Sequence, residues 1–471
     1  VVKTAPSPSF EGGLPARAPG SFRDPSGFVF RSEGRVYRQI NQRYREEYDF
    51  LLESGLFAKL VAEKLLVSHV ETDHPALEPE DAYRVLEPEQ LPFVSYPYEW
   101  SFSQLQDAAL TTLRIQRIAV EQGMSLRDAS AYNIQFLRGR ATFIDTSSFE
   151  RLREDEPWVG YQQFCRHFLA PLALAAYVDV RLLGELRLHL DGIPLDLAST
   201  LLPARTKLKP ALLMHLHAHA AAQKKTAGKA PSGKKAAFGR NALMGLIDSL
   251  ESAVSALSWK PEGDWAKYYS ETNYTDDAFE SKKRLVAEFV GAARPETVWD
   301  LGGNTGPFSR LAAEATTVRH VVSLDLDPAA VETNYQLCKR DGVENVLPLV
   351  GDLANPSTDL GWAHSERQSL ASRGPADLVL ALALIHHLAI GNNTPLQSVA
   401  DYFARLGERL VIEFVPKGDS QVERMLASRE DVFDRYDQAG FEAAFRRRFE
   451  VERSEPIPGT VRRLYLLRRQ G

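Results

Sequence analysis

Apolar and polar positions change period several times along the chain. Residues 27–40 alternate around Ser32-Glu33-Gly34, the pattern of a β-hairpin, and residues 44–66 place Leu51, Leu52, Phe57, Leu60 and Val61 on one helical face. Beyond a proline-broken connection the pattern predicts short strands at 83–86 and 93–96 and a long helix over 103–121. Helical spacing returns from Trp158 to about Ala222, with apolar runs at 164–174 and 182–190. Amphipathic helices are predicted over 241–258 and 276–290. From there strand-like runs at 298–301, 320–324, 346–350, 377–385 and 409–415 alternate with helical patterns such as 307–315 and 400–406. Two last strands, 449–456 and 462–467, flank Pro458-Gly459 as an antiparallel pair. Strands alternating with helices through right-handed crossovers build a mostly parallel α/β sheet, whereas the first half reads as α+β.

The parallel half carries polar residues at its strand ends. Val298-Trp299-Asp300-Leu301 runs into Gly302-Gly303-Asn304-Thr305-Gly306 and then a helix. Glycines suit such a turn because the backbone must reach positive φ and a ligand can approach where no Cβ intervenes. The second run ends in Asp325, where a carboxylate can take ribose hydroxyls, the third at Gly351-Asp352, and the fourth at His386-His387. Four polar strand ends in register imply one crevice.

Asp300 to Gly306, Asp325, Asp352 and the Leu-Ile-His-His-Leu stretch, in this order and spacing, resemble the class I S-adenosylmethionine-dependent methyltransferases over roughly residues 265–469. Asn304 stands where that family's first motif usually has glycine, and asparagine tolerates the left-handed conformation. The resemblance implies a Rossmann-like sheet with the antiparallel final hairpin at its edge, and S-adenosylmethionine as cofactor. Asp300, Gly302, Gly303, Asn304 and Gly306 would then meet its amino-acid part, Asp325 its ribose and Asp352 its adenine, with Leu326, Leu353 and Ala383 beside them. His386 or His387 would accept the proton that leaves the methyl acceptor, and Glu413 is a second base or a substrate anchor. Trp265, Tyr268, Tyr269 and Tyr274, just upstream, either cover the cofactor or pack on the sheet.

A second constellation lies in the first half. Asp128, Asn133 five residues later, and Asp145 at the end of the following strand resemble the catalytic loop and metal strand of kinase-like and aminoglycoside-phosphotransferase-like folds. The resemblance implies that Asp128 orients or deprotonates a hydroxyl while Asn133 and Asp145 hold magnesium on ATP. Leu126 replaces the usual histidine, the hairpin lacks a glycine-rich loop, and no Val-Ala-Ile-Lys strand is present. Arg38 is the nearest basic residue on a strand, with Glu46, Glu47 or Glu53 as partners. Such departures point to a degenerate kinase-like domain that presents substrate or regulates.

At 471 residues the chain exceeds one hydrophobic core, and 44% hydrophobic with 25% charged residues is ordinary for a globular protein. Residues 1–20 read as a flexible tail, 21–222 as the kinase-like domain, 223–240 as a basic flexible linker and 241–471 as the methyltransferase domain, although helix 241–258 fits either neighbour. Net charge −6 disfavours nucleic acid as the partner of the whole protein, while the linker lysines can track a polyanion. Cys165 and Cys338 fall in different domains and read as reduced packing residues, which with the absence of a secretory signal points to the cytoplasm. The longest apolar run, 168–178, is too short for a membrane span. His215, His217 and His219 alternate on a predicted helix and cannot face one point, so no metal site is expected. The layout as a whole resembles nodulation-related methyltransferases. The expected activity is methyl transfer to an oxygen or nitrogen of a small-molecule or glycan acceptor; a bifunctional kinase-methyltransferase and a non-catalytic cofactor-binding scaffold are the other readings.

Overall fold

The computed structural model describes residues 14–153, 156–226, 239–261, 275–427 and 430–471. It divides into two compact units, residues 1–260 with 361–366 and residues 261–360 with 367–471. The aromatics Trp265 to Tyr274 and most of the basic linker lie outside the described residues.

In the first unit, β1 (Ala16–Arg17), β2 (Gly27–Ser32), β3 (Arg35–Asn41), β4 (His69–Thr72) and β5 (Ala82–Pro88) form an antiparallel sheet in the order β1-β2-β3-β5-β4. Glu33 and Gly34 take φ of 50° and 74°, as a two-residue hairpin turn requires. Three expectations change here. Part of the tail is structured: Ala16 and Arg17 pair with Arg31 and Phe30, and Arg17 lies 2.8 Å from Glu78. The helix of residues 44–66 is two, α1 (Arg45–Glu53) and α2 (Leu56–Ala62), because Gly55 between them adopts φ 76°. Residues 93–96 form no strand; the Gln135 side chain accepts from Ser95 N and donates to Ser95 O, doing locally what a ladder would do. Two further antiparallel pairs, β6 (Met124–Leu126) with β9 (Phe149–Arg151) and β7 (Ile134–Leu137) with β8 (Arg140–Phe143), complete the strands among this unit's described residues.

Helix α3 (Phe102–Glu121) starts where the Ser101 and Gln104 side chains cap each other's backbone N–H groups, and it buries Leu105, Ala109 and Leu113. Helix α4 (Arg240–Ser255) packs on it: Arg117 lies 2.6 Å from both Asp248 and Glu251, and Gln106 Nε2 donates to Val254 O and Leu257 O. That helix therefore belongs to the first unit, and the boundary falls after Lys260 rather than at residue 240. The histidines 215 and 217 sit in a π-helical segment (Leu213–Ala218), each between two hydroxyls: Tyr161 and Ser249 for His215, Ser199 and Thr206 for His217. Among the described residues no group of three His, Cys, Asp or Glu side chains is placed to hold a metal, both cysteines are free and buried, and no helix is long and apolar enough to cross a membrane.

The second unit is built on one sheet. Its strands β10 (Thr297–Leu301), β11 (His320–Asp325), β12 (Val346–Val350), β13 (Ala376–Ala381), β14 (Gly407–Phe414), β15 (Phe449–Pro456) and β16 (Arg463–Arg469) lie in the order β12-β11-β10-β13-β14-β16-β15. The first five are parallel; β16 inserts antiparallel beside β14, Glu413 opposite Leu464. This is a Rossmann-like, mostly parallel sheet with its polar strand ends along one edge. Val286, Phe289 and Val290 of helix α5 (Asp276–Ala293) pack with Phe308, Cys338 and the strand residues Val298, Leu380 and Val411 on one face. Phe414, Phe441 and Tyr465 pack with tilted rings elsewhere in the unit. The fourth strand ends at Ala381 rather than Ile385, since Ala383 takes φ 50° and the apolar run continues as a buried loop into a helical turn. Apolar runs alone do not separate these two outcomes.

Candidate active site

The glycine turn is tied to its neighbouring strand. Gly302 N and Gly303 N donate to Leu324 O at 2.8 and 3.0 Å, and Asn304 N donates to Asp325 Oδ2 at 2.8 Å. Gly302, Asn304 and Gly306 all have positive φ, and a Cβ on Gly306 would lie 2.1 Å from Asn334 Oδ1. Asp325 Oδ1 accepts from Asp327 N at 2.9 Å. The Leu326 N–H also faces this carboxylate, so three backbone donors hold it and part of its acceptor capacity remains for a ligand. Burial pushes Asp325 above the usual carboxylate range, partly offset by these N–H donors. Beside it Leu326 is 63% exposed, a large apolar side chain held out at the strand end. Asp352 is half-buried and accepts from Ala354 N at 2.8 Å, and Leu353 is half-buried next to it. Ala383, half-buried, belongs to the loop whose Leu384 Cδ1 would meet a Cβ on Gly302 at 3.4 Å.

Asp300 is turned under the turn. It is 2% exposed, Ser309 Oγ donates to its Oδ2 at 2.6 Å, and burial pushes its carboxyl up to about 6, with Ser309 and Lys282 opposing that rise and Asp325 adding to it. Ser309 Oγ also lies 2.7 Å from Ser323 Oγ; Asn334 Nδ2 donates to Ser323, and Asn334 Oδ1 accepts from Arg310, which also reaches Thr305 O. Sequence reasoning did not single out Ser309, Ser323 or Asn334. Their signal is a polar residue at a fully buried position of an otherwise apolar strand or helix.

The histidines begin a π-helical segment (His387–Gly391), a local irregularity frequent at functional sites. Their rings are 4.3 Å apart. His386 is 2% exposed, its Nδ1 has no partner among the described residues, and burial, reinforced by His387 and Arg462, pushes it down to about 3. It is therefore neutral at physiological pH instead of titrating near it. His387 is exposed.

Glu413 is wholly buried. Its Oε2 lies 2.6 Å from Lys282 Nζ, and its Oε1 accepts from Arg462 Nη1 at 3.1 Å. Arg462 in turn grips Asp419 through Nε and Nη2 at 2.6 and 3.0 Å. Four buried charges thus join helix α5, the end of β14, the loop after it and the turn of the β15–β16 hairpin. Two cations within 3.1 Å favour the ionised carboxylate and occupy both oxygens, which suits a structural tie better than a proton acceptor.

In the first unit Asp128, Asn133 and Asp145 are brought together: Asn133 Nδ2 lies 3.5 Å from Asp128 O and 3.2 Å from Ser148 Oγ, and Ser148 Oγ donates to Asp145 Oδ2 at 2.6 Å. Asp128 Oδ1 accepts from Ser130 N, and burial raises its carboxyl. Asp145 Oδ1 lies 2.6 Å from Arg38 Nη1 and also accepts from Ser147 N and Oγ. Burial alone would raise Asp145, but Arg38 and the serine donors overcome it and hold the carboxyl below its usual range. Arg38 thus pairs with Asp145 rather than with Glu46, Glu47 or Glu53. A guanidinium at this distance repels a second cation, and both Asp145 oxygens are engaged, so these residues as arranged do not fit a magnesium ion.

No family model matches the chain. It is 37% identical over 463 residues to the nodulation protein NoeA of Rhizobium meliloti (strain 1021), spanning 97% of this chain and 96% of that protein. Among solved structures it is similar to N-methyltransferase NodS from Bradyrhizobium japonicum WM9, at 12% identity and TM-score 0.31, over 42% of this chain and 98% of that one. A SAM dependent methyltransferase from Aquifex aeolicus is similar at 16% identity and TM-score 0.31, over 44% of this chain and 98% of that one.

Proposed function

The chain belongs to the family of the nodulation protein NoeA, and from that premise we propose that its second unit transfers a methyl group from S-adenosylmethionine to an oxygen or nitrogen of a small-molecule or glycan acceptor made for nodulation. The observation that carries this reading is the glycine turn closed on Asp325 at the edge of a β12-β11-β10-β13-β14-β16-β15 sheet. Asp325, oriented by backbone N–H donors, keeps acceptor capacity for a ribose hydroxyl, and exposed Leu326 offers an apolar surface to a flat ring, so the residues present fit the cofactor.

When bound, the cofactor supplies a methyl already activated on a sulfonium. Asp325 and Leu326 would hold its ribose and ring, Asp352 with Leu353 its amine edge, and the amino-acid part would lie against the Gly302–Gly306 turn, whose own N–H groups are spent on Leu324, Asp325, Asn304 and Gly303. Asp300 acts from beneath by fixing that turn through Ser309. The chain's main contribution is placement: holding the nucleophile in line supplies on the order of 7–11 kcal/mol in favourable cases. His386 Nδ1, buried and neutral, accepts a hydrogen bond from the acceptor's O–H or N–H and orients it. Its burial makes it a weak base; burial and Arg462 lower His387 as well, but its side chain is exposed, which makes it the group that takes up the leaving proton.

Calorimetric titration with S-adenosylhomocysteine tests the reading. The intact chain is expected to bind it, and Asp325→Ala to weaken binding at least about tenfold, the worth of one charge-assisted hydrogen bond or more. Absence of binding to the intact chain would remove the methyltransferase assignment.

A further inference from the structure

Charge is unevenly spread along this acidic chain. Between Asp196 and Asp248 there is no Asp or Glu, while Arg205, Lys207, Lys209, Lys224, Lys225, Lys229, Lys234, Lys235 and Arg240 all fall in that interval. The first three of these cations lie on a described and ordered surface of the first unit, and all three are exposed.

That surface is held in place from inside. Thr206 is fully buried and its Oγ1 lies 2.9 Å from His217 Nε2, Leu212 and Leu216 are buried, and Leu213 N closes on Lys209 O at 2.9 Å. Because these residues turn inward, the alternate positions are forced outward: Leu208 is 85% exposed, Met214 49% and Leu213 44%. The apolar side chains are thus presented on a short 3-10 turn (Ala204–Leu208) and the helical segment after it, rather than left over from a loose core. Leu208 stands between Lys207 and Lys209, Arg205 lies three residues before it, and the segment 201–214 holds no carboxylate to neutralise these cations.

We propose that residues 201–214 form a docking face for an anionic lipid surface. Cations near such a surface each tighten binding about fivefold, and long Lys and Arg side chains reach headgroups while their neighbours enter the acyl boundary. The aliphatic residues decide among polyanions. A nucleic acid would use the three cations but has no place for Leu208, Leu213 and Met214, whereas a bilayer takes both kinds of side chain at once. An acidic protein partner is the competing occupant, and the experiment separates it.

The full chain is sedimented with phosphatidylcholine vesicles, and with vesicles containing roughly a third phosphatidylglycerol, over a salt series. The face predicts binding to the anionic vesicles alone, weakened by salt. Leu208→Ser, at a position too exposed to affect folding, is expected to lower that affinity about tenfold, and Lys207→Glu comparably. Failure to bind anionic vesicles, with or without capture by polyglutamate, overturns the proposal. So does equal binding to neutral vesicles, or binding that falls with Lys207→Glu but ignores Leu208→Ser.

Discussion

Glu413 Oε2 and Lys282 Nζ, far apart in sequence, lie 2.6 Å apart with both side chains buried. Burial lowers the Lys282 ammonium, and Glu413 opposes that shift. A buried pair of this kind is weakly stabilising compared with apolar residues, yet removing one partner strands the other charge at a cost of about 3–5 kcal/mol. Glu413→Gln is therefore expected to lower unfolding free energy by about 3 kcal/mol in urea titration. In a double-mutant cycle Lys282→Met with Glu413→Gln should cost clearly less than the sum of the two single changes. A stable Glu413→Gln protein that binds cofactor normally but turns over at least about a hundredfold slower would return Glu413 to the role of base.

Asp300 and His386 pull the acid stability of the second unit in opposite directions. Asp300 is raised from an ordinary 3.8 to about 6, so between those values the folded state holds its proton more tightly and this group adds stability as pH falls. At pH 7 its buried charge costs on the order of 2–3 kcal/mol. His386 is lowered from 6.5 to about 3, so the unfolded state takes the proton first and stability is lost as pH falls through that window. Asp300→Asn should raise the melting temperature at pH 7 and weaken cofactor binding. His386→Gln should flatten the acid limb of stability between about pH 6 and 4. Parallel acid limbs for wild type and both variants would sink this assignment.

Much of this was legible in the chain, for reasons that differ by residue. The strands β10, β11 and β12 were visible because both faces of a parallel sheet are buried and their apolar runs end abruptly at Asp300, Asp325 and Gly351. Gly302 and Gly306 announced positive φ. What remained hidden depends on tertiary partners. Lys282 sits four residues from both Ala278 and Val286 on the buried stripe of α5, a visible anomaly, but nothing local says that Glu413 and Arg462 answer it. His386 looked like a strand-end base because an apolar run was extended through Leu382 and Leu384; the backbone leaves the sheet at Ala381 and buries the ring instead.

The proton's route is the next test. With His386 neutral throughout the physiological range and His387 exposed, only His387 is expected to leave a titration in turnover, below the usual histidine range because burial and Arg462 lower it. His387→Gln should lower turnover about a hundredfold and remove the acid limb of the pH–rate profile, with homocysteine-product affinity unchanged. His386→Gln should act mainly on acceptor KM, since it orients rather than titrates. Full turnover in both variants would show that the acceptor gives up its proton to water.

Whether the first unit handles a nucleotide turns on Arg38. Its Nη1 lies 2.6 Å from Asp145 Oδ1, while Ser147 and Ser148 donate to the remaining carboxylate positions, leaving no open oxygen pair for a dication. Titration of the intact chain with magnesium-ATP, after saturation with S-adenosylhomocysteine, is expected to give no saturable heat. Arg38→Ala removes the competing charge, so manganese binding, read by its paramagnetic relaxation, should appear in that variant and vanish again in Arg38→Ala with Asp145→Asn. Saturable ATP binding by the unaltered chain, abolished by Asp145→Asn, would mean that the guanidinium swings aside for the metal and that the chain transfers phosphoryl as well as methyl groups.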